Sequence, residues 1–313
     1  MANLINRRNF FKKTALPVTG IMMGSSISGL SGCQRSGAAM PASYDIMEEV
    51  MKYRKINSHE HVWPDVSPDA LIDFSDRLGV EKLAISSIIP AGPGREANPQ
   101  GFRACNDLVL KAMKKYPGRF LGQAFLNPVY GKESLEEIKR CIDQGMIGLK
   151  IYNQVKINDP LFYPVIEKLI DLKMVMLVHA HCGLGVGGYR PRYGNVQPNA
   201  SIPEDFAMAA KRYPEAIFQY AHLHGGSDWE YACRVLKDYP NVYADLSGSN
   251  NEANTVNFAL KHLGEDRLLF GSDGSYYQGI GTILSSDLND AQRKKIFFDN
   301  FNNILRKSGN NVD

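Results

Sequence analysis

Short apolar runs recur along the chain, at residues 56–61, 82–89, 120–126, 147–152, 174–179, 217–222, 242–246 and 268–272, and between them the hydrophobic positions fall at helical spacing. The runs are continuously apolar rather than alternating, which marks strands covered on both faces, as in a parallel sheet. Punctuation supports the helices between them. Ser67-Pro68 opens the first and Gly79 closes it; Asp159-Pro160 opens another. Ser134/Glu137, Ser201/Glu204 and Ser227/Glu230 read as capping boxes, and helices are expected over 106–116 and 290–307. Two long loops, 90–101 and 180–200, follow the second and fifth strands. Strand-plus-helix units of ~30 residues, eight times over, predict a single-domain α/β protein with the (β/α)8 TIM-barrel architecture over 46–313. A doubly wound open sheet would use the same elements but would not bring all the strand ends to one mouth.

The N-terminus breaks this pattern. Arg7-Arg8-Asn9-Phe10-Phe11-Lys12 is a twin-arginine run, followed by a Gly- and Ser-rich apolar stretch over 15–30. That stretch is short for a bilayer span, which takes ~20 apolar residues, and fits the core of an export signal. Leu30-Ser31-Gly32-Cys33 resembles a bacterial lipobox, implying cleavage before Cys33 and lipidation of its thiol. Residues 1–32 are therefore expected to be a twin-arginine lipoprotein signal and 33–45 a flexible spacer. The mature protein would be periplasmic, anchored to the membrane only through the lipid on Cys33.

Charge changes the picture once the signal is set aside. The 36 basic residues fall to 32 with the loss of Arg7, Arg8, Lys12 and Lys13, against 33 acids. No basic run survives, so nucleic acid is not an expected partner. The partner is a small-molecule substrate, with self-association into a homo-oligomer left open. Cys105, Cys141 and Cys233 lie in helical patterns as packing residues, with no Cys-x-x-Cys spacing, and Cys182 follows His181 directly.

The chemistry is in the histidines. Six of the seven form pairs separated by one residue, His59/His61, His179/His181 and His222/His224, each at the end of an apolar run. Residues i and i+2 of a strand share a face, so each pair presents two imidazoles where strand gives way to loop. Imidazole is the commonest protein ligand for a transition metal. Lys150 lies inside the fourth apolar run, where an unpaired ammonium is costly, and Asp273 follows the eighth. A barrel gathers these positions at its C-terminal mouth.

Over 55–305 the chain resembles the metal-dependent amidohydrolase superfamily, in its amidohydrolase-2 branch of aminocarboxymuconate-semialdehyde decarboxylase-like proteins and related hydrolases. The resemblance rests on His59-Glu60-His61, Tyr116-Pro117-Gly118-Arg119-Phe120 through Asn127-Pro128, Gly148-Leu149-Lys150, His179, Ala221-His222-Leu223, Gly271-Ser272-Asp273 and Asn300. The chain departs from many relatives in having Asn57 two residues before the first histidine, and Gly274-Ser275-Tyr276-Tyr277 after Asp273. His181 and His224 are additions to the pattern, and His222 is preferred to His224 because it follows the apolar run directly.

The resemblance implies a divalent metal, Zn2+ in type, held by residues drawn from His59, His61, Lys150, His179, His222 and Asp273. One ion is favoured; two would require a carboxylated Lys150. Asp273 would manage a proton on an activated water, and His222 would polarise the substrate or bind a second ion. Arg95, His181, Tyr189, Arg190, Arg192, Tyr193 and His224 are the candidates for holding substrate, since arginine suits carboxylates, with Trp63 as a stacking surface and Trp229 as helix packing. Hydrolysis of an amide, ester or lactone is the first expectation and decarboxylation of a small carboxylic acid the alternative. A lipid-anchored binding protein without activity comes third.

Overall fold

The computed structural model describes residues 45–90, 94–180, 199–225, 229–248 and 254–312. The N-terminal signal, Cys33, Cys182, His181, Tyr189, Arg190, Arg192, Tyr193 and Ser227 lie outside them. Eight strands form, β1 (Lys55–His61), β2 (Val80–Ser86), β3 (Phe120–Phe125), β4 (Gly148–Ile151), β5 (Val175–Val178), β6 (Ile217–Tyr220), β7 (Val242–Asp245) and β8 (Leu268–Leu269). They are ordered β1 to β8 as in the chain, and every adjacent pair is parallel. β8 is only two residues long, yet the chain beyond it closes the ring on β1. Phe270 O accepts from Ser58 N at 2.9 Å, and His59 O accepts from Asp273 N at 2.9 Å. The (β/α)8 barrel expected from the apolar runs is the fold.

Two apolar regions hold it. The larger lies between the strands and the surrounding helices. The smaller fills the bottom of the barrel, where Ile56, Ala84, Ile147, Val175, Ile217 and Leu269 meet Phe298, Phe301, Ile304 and Leu305 of the closing helix. That helix is α-helical over Asp290–Lys294, widens to a π-turn over Lys295–Asp299, and resumes over Asn300–Arg306. The side chain of Asn300 donates to Leu268 O at 2.8 Å and to Glu265 O at 2.7 Å, which fixes short β8 from below. With the bottom plugged, only the C-terminal ends of the strands open to a site.

Local punctuation was legible in part. Gly79 closes the helix Asp69–Leu78 at φ 65°, the left-handed conformation that glycine adopts without a steric penalty. The capping boxes at Ser134 and Ser201 do not form. The first of these helices begins at Gly131; Ser134 Oγ donates to Asn127 O, and Glu137 turns to Asn106 and Arg140. In the second, Asp205 accepts from Ile202 N, while Ser201 Oγ accepts from Ile157 N. The helix expected from residue 106 starts earlier, as Pro99–Lys115, because Asn98 caps Gly101 N and Pro99 needs no donor there. Cys105, Cys141 and Cys233 lie in helices and form no disulfide among the described residues. No helix among the described residues is long and apolar enough to cross a membrane.

Candidate metal centre

Strand β1 presents the first pair. His59 and His61 are both buried, and their Nε2 atoms stand 3.3 Å apart. His59 Nδ1 faces the Asp245 carboxylate at 3.1 Å, while Lys150 Nζ reaches His59 Nε2 at 2.8 Å. An ammonium can only donate, so Nε2 carries the lone pair, which Lys150 meets here, and Nδ1 carries the proton. His61 Nδ1 lies 3.1 Å from Ser86 Oγ and 3.3 Å from Ser86 O; with the hydroxyl donating to Glu60 O at 3.5 Å, both accept from Nδ1 and the Nε2 lone pair is left directed inward. Asp273 completes the convergence: Oδ1 is 3.3 Å from His61 Nε2 and 3.7 Å from His59 Nε2.

Three acceptor atoms turned on one another need positive charge beside them; the Lys150 ammonium supplies it at His59 Nε2, and a divalent ion between all three would supply more. Tetrahedral coordination with bonds of about 2.0–2.1 Å places ligand atoms roughly 3.3 Å apart, the spacing of two of the three pairs here, the third being 3.7 Å. Atoms of His59, His222 and Asp273 also fall within 4.8 Å of one another. The residues present therefore fit a divalent ion.

The later histidines pack beside this group. His179 follows β5 directly, and its Nδ1 is 2.9 Å from His222 Nε2. His222 Nδ1 lies 3.3 Å from Asp273 Oδ2 and 3.1 Å from Ser247 Oγ. Ser247 spends its one hydrogen on Asp245 Oδ1 at 2.5 Å, so its oxygen must accept from His222 Nδ1. His222 Nε2 then accepts from His179 Nδ1. Thus Asp273 Oδ2 stands beside the His222 Nδ1–H, while Oδ1 faces the lone pairs of the first histidine pair. Both His222 and Asp273 adopt left-handed backbone, φ 65° and 44°, which non-glycine residues rarely take.

Burial sets the charge states. It lowers the His222 imidazole to about 3, against the pull of Asp273, and lowers His61 as well. Burial also brings Lys150 down to about 8, opposed by Asp273 and Asp245. The same burial would raise the two carboxyls, but His59 and His222 outweigh it and hold both Asp273 and Asp245 well below the usual range. Neutral imidazole beside ionised carboxylate is the form a divalent ion takes up.

Above the cluster opens a pocket of about 410 Å³, lined in part by His61, His179, His222 and Asp273. Trp63, Ile88, Pro90 and Tyr152 supply its apolar walls. The Trp63 ring lies 5.5 Å from His61, and that of Tyr152 lies 4.2 Å from His179. The volume is within the ~300–1,000 Å³ range of small-molecule sites.

Of the residues singled out from the sequence, His59, His61, Lys150, His179, His222 and Asp273 come together at this mouth. Arg95 and His224 do not join them. Arg95 is exposed and outside the pocket lining. His224 is buried behind it, with its Nε2 unpartnered among the described residues, and burial lowers it to about 4. Trp229 packs in a helix against Phe258. The sequence reading passed over Asp245, although a strand-end acid after an apolar run was the signal that exposed Asp273. It also passed over Ser247, Tyr152 and the middle residue of His59-Glu60-His61.

Residues 56–300 match the Amidohydrolase family. The chain belongs to the amidohydrolase family. This amidohydrolase is 27% identical, over 271 residues, to a 2-amino-3-carboxymuconate-6-semialdehyde decarboxylase of Dictyostelium discoideum, covering 75% of the chain and 72% of the relative. Among solved structures it is similar to the 2,6-dihydroxybenzoate decarboxylase of Rhizobium, with TM-score 0.66 and 19% identity over 82% of this chain and 100% of the other. It is also similar to a dihydroxybenzoic acid decarboxylase of Polaromonas sp. JS666 with bound manganese and 2-nitroresorcinol, with TM-score 0.63 and 20% identity over 81% and 97%. At these identities the solved structures establish the shared fold.

Proposed function

We propose that the protein is a metal-dependent, non-oxidative decarboxylase of a small unsaturated or aromatic carboxylic acid bearing a neighbouring oxygen. The observation that carries this reading is the likeness over 75% of the chain to a decarboxylase of an unsaturated amino-carboxylic acid. The geometry supports it: a cation cradle forms the floor of a pocket with flat, apolar walls. Hydrolysis, the reaction first expected, takes second place because that relative is a lyase.

His59, His61 and Asp273 would hold the ion, with His179 and His222 beside them. When bound, the ion would draw electron density from the substrate oxygens and reduce the cost of the negative charge that builds as CO2 departs. Lys150, whose ammonium reaches His59 Nε2 at 2.8 Å, is read as a charge partner of the cradle, in keeping with one ion. Trp63 and Tyr152 provide faces for a planar substrate, while Ile88 and Pro90 keep water from its carboxylate. Desolvation favours decarboxylation because a charged group becomes neutral CO2. Asp273 Oδ2, beside the His222 Nδ1–H, takes the proton of the substrate hydroxyl and returns it to the carbon that CO2 has left. One carbon–carbon bond breaks and one carbon–hydrogen bond forms, with no oxidant.

The test is turnover of ortho-hydroxybenzoates and unsaturated carboxylic acids by protein loaded with Mn2+ or Zn2+, in D2O and in 18O-labelled water. CO2 release with one deuterium at the vacated carbon and no 18O in the organic product is the expected result. Turnover of lactones or amides with 18O uptake and no CO2 would establish hydrolysis instead. The N-terminal signal and the lipid on Cys33 remain part of the proposed reading, and the mass of the N-terminal peptide from membrane fractions tests them.

A further inference from the structure

Between the two histidines of β1 stands Glu60, buried and turned away from the cation cradle. We infer that Glu60 is a positioning residue: its carboxylate clamps the Asp273 turn against the histidine pair and so sets the affinity of the site for its ion. This inference rests on reading the cradle as a metal site. It concerns a side chain that the chemistry above does not use.

The carboxylate grips both sides of Asp273. Glu60 Oε1 accepts from His61 N at 2.8 Å; Oε2 accepts from Ser272 Oγ at 2.6 Å and from Gly274 N at 3.1 Å. Ser272 and Gly274 are the immediate neighbours of Asp273, so a single side chain joins a β1 histidine to both flanks of the turn that carries the acid.

The direction of each bond is fixed. Asn57 Oδ1 accepts from Ser272 N at 3.0 Å and His59 N at 3.2 Å, which leaves Nδ2 to donate to Ser272 Oγ at 2.6 Å. The Ser272 hydroxyl, already accepting, must donate onward, and Glu60 Oε2 receives it. A group that only accepts is required at the end of this chain, and a carboxylate supplies it. Asn57, noted above as a departure from the aspartate of many relatives, is thereby tied to the same relay.

The turn needs such a hold. Asp273 sits at φ 44°, a backbone region that disfavours a side chain. Its side chain is 30% exposed at the mouth. His59 O accepts from Ser272 N and Asp273 N, and Ser272 O accepts from Ser275 N across the turn at 2.8 Å; among the described residues Glu60 adds the side-chain hold on Gly274 N that ties this turn to β1. Without that grip the backbone bonds hold the turn by themselves, and Asp273 Oδ1 keeps its 3.3 Å spacing to His61 Nε2 less firmly. Glutamine cannot substitute fully, because one of its two terminal atoms donates and meets either His61 N–H or the Ser272 and Gly274 donors.

The experiment is titration of the purified, metal-stripped full chain with Co2+ alone, following its visible absorption band and competing with a chelator. Glu60→Gln is expected to weaken Co2+ binding about 10- to 100-fold and to reduce band intensity as tetrahedral coordination is lost. In an Asp273→Ala background the same substitution should change affinity by less than about twofold, because the residue it positions is gone. Ser272→Ala, which cuts one arm of the clamp, should show a smaller loss with the same dependence on Asp273, and carries the test if Glu60→Gln does not fold. Unchanged affinity in Glu60→Gln, or an equal loss with and without Asp273, overturns the clamp while leaving the metal reading intact. Failure of the wild-type chain to bind Co2+ overturns both.

Discussion

Asp245 is the place to test whether the cradle is organised by hydrogen-bond direction. Its buried carboxylate accepts from His59 Nδ1, Gln219 Nε2, His222 N, Ser247 N and Ser247 Oγ. Asp245→Ala leaves two backbone N–H groups without partners, at about 1–3 kcal/mol each, and unpairs His59. A total of about 3–5 kcal/mol corresponds to a fall in Tm of roughly 10 °C for a domain of this size. Asp245→Asn is the sharper probe. The amide oxygen can keep the His222 and Ser247 donors, which places its NH2 where Oδ2 stood. Gln219 can adapt by rotating its amide, whose Oε1 has no partner among the described residues, at the expense of its bond to Ser58 Oγ. His59 cannot adapt: its Nδ1 must now accept, so the proton moves to Nε2 and blocks the lone pair aimed at the ion. The expected outcome is a metal-free Tm within a few degrees of wild type and a loss of metal affinity of about 100-fold or more, near 2.7 kcal/mol. Calorimetry of the metal-free protein and Co2+ titration give the two numbers. Binding by Asp245→Asn within about threefold of wild type would refute the assignment of His59's tautomer and the cradle built on it.

Other substitutions address the barrel bottom and the pocket. Lys55 is buried beneath the barrel, donating to Val50 O at 2.5 Å and Tyr53 O at 2.8 Å, and burial lowers it to about 8 from 10.5. Between those values the unfolded chain binds more protons, so this group adds stability as pH rises, on the order of 3 kcal/mol across the window. The stability difference between wild type and Lys55→Met, from urea unfolding at pH 8 to 10.5, should climb; a flat difference would refute the shift. Trp63→Ala removes an aromatic wall worth about 0.5–1.5 kcal/mol and should raise KM roughly 2- to 13-fold with little change in kcat, whereas a fall in kcat alone would give Trp63 a different role. Gly248 lines the pocket at φ 126°, and a Cβ there would stand 2.1 Å from Gly225 N. Gly248→Ala should therefore force the two loops apart and lower both Tm and turnover, and a normal Tm with full activity would show that this backbone yields easily.

Some errors of reading have a shared cause. Ser134 and Ser201 carried the right spacing for capping boxes, but their hydroxyls bind backbone of other segments, Asn127 O and Ile157 N. Sequence spacing reports what a side chain can do locally, and tertiary partners decide what it does. Asp245 was missed for the opposite reason. It ends β7 as Asp273 follows β8, but no histidine adjoins it in the chain to draw attention. Its importance comes from His59, 186 residues away.

By itself the sequence determined the strand–helix alternation, because covering both faces of a parallel strand demands a continuous apolar run, and it determined which histidines lie at strand ends. The tertiary structure alone decided the direction of each lone pair. That depends on the atom facing the other ring nitrogen: Asp245 behind His59, the Ser86 hydroxyl and carbonyl behind His61, and Ser247 beside His222. Barrel closure supplies those atoms from strands remote in the chain. It also sets Glu60 behind the Asp273 turn, a contact that the order of residues along β1 and β8 does not contain.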